Sequence, residues 1–149
     1  MPTKSYTRET QYWETDQMGV IHHVSYIRWF EEARIRVMAA WGVPFDELER
    51  NGVLIPVLDV GCRYIKPARF PDTMRLDLEL EGFEASRGVR FAVNYRVIHA
   101  ATGELLTTGS SQHCFADRQF RVIRLKRDHL EYYERFLAME KGISGSGDR

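Results

Sequence analysis

Cysteine is scarce: the chain has two, Cys62 and Cys114, too few for a disulfide framework. Both fall in apolar stretches that read as strands, where small buried hydrophobes are the plain expectation. Neither sign of charge prevails, because 21 Lys and Arg balance 21 Asp and Glu. A general nucleic-acid binder carries a basic excess, so that class is set aside. A small anionic ligand held by a few local arginines is still allowed. No apolar run approaches the roughly 18 residues of a transmembrane helix. Met1–Ser5 leads into charged residues rather than a signal-peptide core, so the expectation is a soluble cytoplasmic protein. No repeat of solenoid period is present.

What is there suits one globular domain. The 149 residues are 44% hydrophobic and 12% aromatic, enough to build a core without a metal or a disulfide. We expect a single domain over residues 1–141 and a frayed glycine- and serine-rich tail over 142–149.

Residues 5–14 alternate through Tyr6, Arg8, Thr10, Tyr12 and Glu14, which predicts a first strand. The strongest helical pattern follows over 24–41. At 100° per residue, Tyr26, Ile27, Ala33, Val37, Met38, Ala40 and Trp41 fall within about 80° of Phe30, a wide core-facing stripe. Arg34 interrupts it, with Glu31 as a candidate partner. Gly42 and Pro44 end the helix, and a short helix is expected near 44–51. Strand patterns then run over 53–66, 73–85, 88–99 and 104–116, with a short last strand over 120–125 and a closing helix over 128–139. Short connections favour an antiparallel sheet, and the one long helix must bury its stripe against it. The expected fold is therefore α+β, a curved antiparallel sheet of five or six strands around one central helix.

The segment from Tyr12 to Tyr26 concentrates the chemistry. Asp16, Gly19, His22 and His23 lie between a strand and the start of a buried helix. A helix N-terminus offers unpaired backbone N–H groups that could polarise a carbonyl oxygen. A carboxylate beside it could attack that carbonyl or activate water. The same residues also suit an ordinary turn at Asp16 and Gly19, with Ser25 or His23 capping the helix. Two adjacent histidines diverge, so no metal site is expected.

Asp16-x-x-Gly19-x-x-x-His23-x-x-Tyr26, followed by Phe30-Glu31-x-Ala33-Arg34, resembles the signature of the hotdog-fold acyl-CoA thioesterases. The likeness is to the 4-hydroxybenzoyl-CoA thioesterase family and its Tol-Pal-associated subset. Arg63 to Asp72, Arg87 to Phe91 and Gly103 to Leu106 resemble further stretches of that family, and the likeness spans about residues 6–117. It implies hydrolysis of a thioester between an acyl group and coenzyme A, with no cofactor beyond the coenzyme A of the substrate. It makes Asp16 the nucleophile or general base, with His23 and Tyr12 as further catalytic residues. The backbone N–H of His23 or Val24 becomes the oxyanion donor beyond the Gly19 turn. If residues 12–16 stay extended, Tyr12 and Asp16 face the same side.

Coenzyme A carries phosphates, and the candidate ligands are Lys66, Arg69, Arg87 and Arg90. The family likeness further implies a homodimer or homotetramer with the active site between subunits; an open sheet edge makes pairing reasonable. The competing functions are a hydratase or dehydratase on the same fold and a non-catalytic acyl-CoA binding module.

Overall fold

A computed structural model describes residues 3–142. Residues 143–149 of the expected tail lie outside the described residues, while Gly142 ends the last helix with φ of +74°. The elements run β1 (Ser5–Glu9), α1 (Ser25–Ala40), α2 (Phe45–Arg50), β2 (Val57–Tyr64), β3 (Thr73–Glu81), β4 (Arg90–His99), β5 (Leu105–Cys114), α3 (Leu125–Asp128) and α4 (Leu130–Lys141). The five strands form one antiparallel sheet in the order β1-β3-β4-β5-β2.

One face of the sheet is wet and the other packs on α1, so the strands read as clean alternation. Met74, Leu76, Leu78 and Leu80 of β3 and Phe91, Val93, Tyr95 and Val97 of β4 all point inward and are buried. The α1 stripe is Tyr26, Trp29, Phe30, Ala33, Arg34, Val37 and Met38. Trp29 joins the expected set, whereas Ile27 and Ala40 turn outward. The helix sits very close to the sheet at Phe30. Its ring stacks on Tyr95, with centroids 4.3 Å apart and planes 8° apart. A Cβ on Gly109 of β5 would lie 2.3 Å from a carbon of that ring, which is why the strand carries glycine there. At the other end, α4 closes the core with Phe136 against Phe83, Phe91 and Phe115.

Three expectations are corrected. The first strand stops at Glu9, and Tyr12–Glu14 form a 3-10 turn. There the Gln11 N–H donates to the Glu14 side chain at 2.9 Å and the carboxylate swings into the core. The strand expected over 120–125 is instead a tight turn followed by α3. Asp117 Oδ1 accepts the N–H groups of Gln119 and Arg121, Phe120 takes φ of +63°, and only a single bridge joins Ala116 to Val122. Arg34 is buried and donates to Tyr95 Oη at 3.1 Å rather than pairing with Glu31. That bond begins a polar chain through the core, from Tyr95 Oη to Ser111 Oγ and on to His113 Nε2, each step 2.7 Å.

Candidate active site

The loop between the 3-10 turn and α1 is held from both sides. Glu14 is its buried keystone. Its carboxylate accepts Arg8 Nη1 at 2.7 Å and Trp29 Nε1 at 2.9 Å. Its backbone carbonyl accepts the His22 N–H at 2.8 Å and Ser25 Oγ at 3.1 Å. Burial alone would raise the Glu14 pKa, but the bonds from Arg8, Trp29 and Gln11 outweigh it, and the carboxyl lies below its ordinary value. Across the loop, the Ile21 N–H donates to the Ala68 carbonyl at 2.9 Å, and the Ala68 N–H donates to Tyr26 Oη at 3.2 Å. Tyr26 is thus a buried anchor for the turn after β2.

Asp16 closes the loop on itself. Its Oδ1 accepts the Met18 N–H at 2.8 Å and the Val20 N–H at 3.4 Å, and Gly19 takes φ of +83°. One carboxylate oxygen thus makes the expected turn with Gly19. The other, Oδ2, has no hydrogen-bond partner among the described residues. Asp16 is only partly buried, and it lines a pocket of about 300 Å³ with His23, Tyr26, Tyr64 and Lys66. Ile21, Ile65 and Pro67 form the apolar wall.

The two candidate oxyanion donors part ways. The Val24 N–H donates to His22 Nδ1 at 3.1 Å, and neither Ser25 nor His23 supplies a side-chain cap to α1. Val24 is thereby withdrawn as a donor. The His23 N–H has no partner among the described residues. The rings of His22 and His23 stack with centroids 4.4 Å apart.

The remaining candidates separate. Tyr12 lies on the 3-10 turn, 76% exposed, with its ring edge 5.8 Å from Phe70. It does not line the pocket, and the 3-10 turn removes the extended geometry that would have aligned it with Asp16. Lys66 is at the pocket and pairs with Glu104. Arg69 is exposed on the same turn. Arg87 and Arg90 lie at the opposite end of the sheet. Arg90 pairs with Cys114 and Tyr64 with Thr107, seven positions apart along β5, which at about 3.4 Å per residue is roughly 24 Å. Two site residues escaped sequence reasoning, Glu14 and Tyr64, and the sequence offered His22 without its bond to Val24. The Gln11-x-x-Glu14 spacing was the signal for the first. Tyr64 stands inside a quoted motif with nothing local to announce its partner.

A five-stranded antiparallel sheet wrapped on one long helix defines the hotdog class. The thioesterase-like superfamily matches residues 10–141, and the chain belongs to it. A DHNA-CoA thioesterase structure from Staphylococcus aureus is 31% identical and superposes with a TM-score of 0.85 over 95% of this chain and 93% of that one. YneP of Bacillus subtilis, whose name carries a provisional acyl-CoA thioesterase assignment, is 28% identical over 89% of this chain and 94% of its own. The 1,4-dihydroxy-2-naphthoyl-CoA hydrolase of Thermosynechococcus vestitus is 25% identical over 75% of each chain.

Proposed function

We propose that this protein is an acyl-CoA thioesterase acting through Asp16. The observation that carries this is the free Oδ2 of Asp16, in a half-apolar pocket also lined by His23, whose amide N–H is unengaged. The thioester oxygen would sit against the His23 N–H, and Oδ2 would face the carbonyl carbon. Direct attack forms a mixed anhydride and expels the coenzyme A thiolate; water then cleaves the anhydride. General-base catalysis has Oδ2 take a proton from water as that water attacks. Both routes yield a carboxylic acid and free coenzyme A, and neither needs a further cofactor. The His23 ring, which lines the same pocket, would protonate the leaving sulfur. A pocket of about 300 Å³ suits a short or aromatic acyl group, as do the relatives named for a naphthoyl thioester. A panel of short, long and aromatic acyl-CoAs tests the activity and its range. Hydrolysis of none of them, with coenzyme A bound tightly, would instead favour a binding module.

The phosphate ligands are divided. Lys66 lines the pocket of its own chain and Arg69 is exposed on the turn that follows, while Arg87 and Arg90 are too far away to serve it. β2 is an edge strand whose Val57, Leu58 and Val60 are exposed. A second copy paired antiparallel along β2 brings its own Arg90 end toward the Tyr64 end of the first. The site is then shared between two subunits, with Arg87 and Arg90 arriving from the partner.

A further inference from the structure

The His23–Val24 peptide is gripped at both of its polar ends. Its carbonyl oxygen accepts Tyr64 Oη at 2.7 Å. Its N–H, that of Val24, donates to His22 Nδ1 at 3.1 Å. That donation requires Nδ1 of His22 to be unprotonated, so the neutral ring carries its hydrogen on Nε2. The two gripping side chains come from different elements. His22 is in the loop, pinned through its own N–H to the Glu14 carbonyl. Tyr64 ends β2, with its ring packed edge-on to Tyr26 at 5.2 Å. Burial raises the Tyr64 pKa, so its hydroxyl remains a donor.

A peptide held at both ends cannot rotate about the flanking bonds. The next peptide toward the N-terminus carries the His23 N–H, and the two share the His23 α-carbon. Fixing one plane restricts the direction of the other. The stacked His22 ring also limits the His23 side chain.

We propose that Tyr64 and His22 are positioning residues that aim the His23 N–H at the thioester oxygen. This rests on the thioesterase reading above and adds to it two side chains that hold the peptide behind the oxyanion donor, a role that neither composition nor motif assigns. The clamp makes no contact with the reacting carbon. Its contribution is orientation, felt where charge develops on the oxygen rather than when substrate binds. It also links the exposed edge strand to the oxyanion donor, because Tyr64 belongs to β2.

The test is steady-state kinetics on Tyr64→Phe, His22→Ala and His22→Asn, with Asp16→Asn alongside. Tyr64→Phe keeps the ring packing and loses only the hydroxyl. We expect its kcat to fall about tenfold or more with KM within about twofold, at unchanged Tm and oligomer mass. His22→Ala should fall likewise. His22→Asn should recover most of the rate, since an Asn oxygen accepts the N–H two residues on. In the free protein, Tyr64→Phe should also shift the His23 and Val24 amide resonances. Wild-type kinetics in Tyr64→Phe, or an Asn variant as slow as the Ala variant, overturns the clamp. So does a loss of rate that follows a lowered Tm. If Asp16→Asn is as fast as wild type, the thioesterase site itself fails and the clamp goes with it. A dead Asp16→Asn beside an unaffected Tyr64→Phe removes the clamp alone.

Discussion

Trp29 donates its indole N–H to Glu14 Oε2 at 2.9 Å, with both side chains out of solvent. One buried carboxylate thereby ties the central helix to the loop that carries Asp16 and His23. Arg8 completes the arrangement at 2.7 Å, and its guanidinium lies 4.9 Å from the Trp29 ring centroid.

Replacing Glu14 with Gln keeps the shape and removes the charge facing Arg8. Breaking one side of a buried pair leaves the other uncompensated, and Arg8 keeps only the half-exposed Glu32. We expect a loss of about 1–3 kcal/mol in urea denaturation, and a fall in activity larger than that of a surface Glu→Gln variant. An unchanged denaturation midpoint would remove Glu14 from its keystone role.

Stability should decline on the acid side in two stages. His113 is buried, and burial, followed by the nearby Arg34 charge, pushes its pKa down from 6.5 to about 4. The unfolded chain takes up that proton first as pH falls, so stability is lost between about 6.5 and 4, on the order of 3 kcal/mol in all. Glu14 has a depressed pKa, so its contribution is present above its unfolded value of 4.5 and is lost as pH falls through the lower folded value. In His113→Gln, the slope of unfolding free energy between pH 6.5 and 4 should flatten. A slope unchanged in that variant would contradict the assignment.

Gly109→Ala places a methyl group within 2.3 Å of Phe30 and 2.9 Å of the Gly61 carbonyl. Neither can move freely, because Phe30 is stacked on Tyr95 and Gly61 belongs to β2. We expect a cost of about 1–3 kcal/mol or more, read by thermal or chemical denaturation. A neutral substitution would mean that α1 does not rest on the sheet there.

The proposed sharing of the site between two subunits predicts complementation. Asp16→Asn and the double variant Arg87→Ala/Arg90→Ala should each be weak alone. Unfolded together and refolded, half of the dimers are mixed, and each mixed dimer has one intact site of two. We expect about a quarter of the wild-type kcat/KM. Activity equal to the mean of the two parents would place both sets of residues in one chain's own site.

Much of the sheet was legible, because Met74–Leu80 and Phe91–Val97 alternate between a dry and a wet face. The same signal misled at Tyr12–Glu14, whose alternation continues that of β1. What decides that segment is Glu14, whose partners Arg8 and Trp29 are joined only by the fold. Asp16 and His23 were legible as a motif, seven residues apart on one loop. Tyr64 was not, since its partner carbonyl lies 41 positions away. Arg34 was misassigned for the same reason. Periodicity offered Glu31 one turn back, but the buried acceptor is Tyr95, 61 positions on. Arg87 and Arg90 were grouped with Asp16 by their chemistry, whereas strand register sends them to the far end.

The central claim is that Asp16 Oδ2 performs the chemistry. Asparagine at position 16 keeps an oxygen to accept the Met18 and Val20 N–H groups, so the turn survives while the second carboxylate oxygen is lost. The decisive measurement is kcat/KM of Asp16→Asn on the best acyl-CoA found, with Tm and coenzyme A affinity checked in parallel. We predict a fall of about 100-fold or more at unchanged Tm and coenzyme A affinity. Hydrolysis at the wild-type rate would contradict the account.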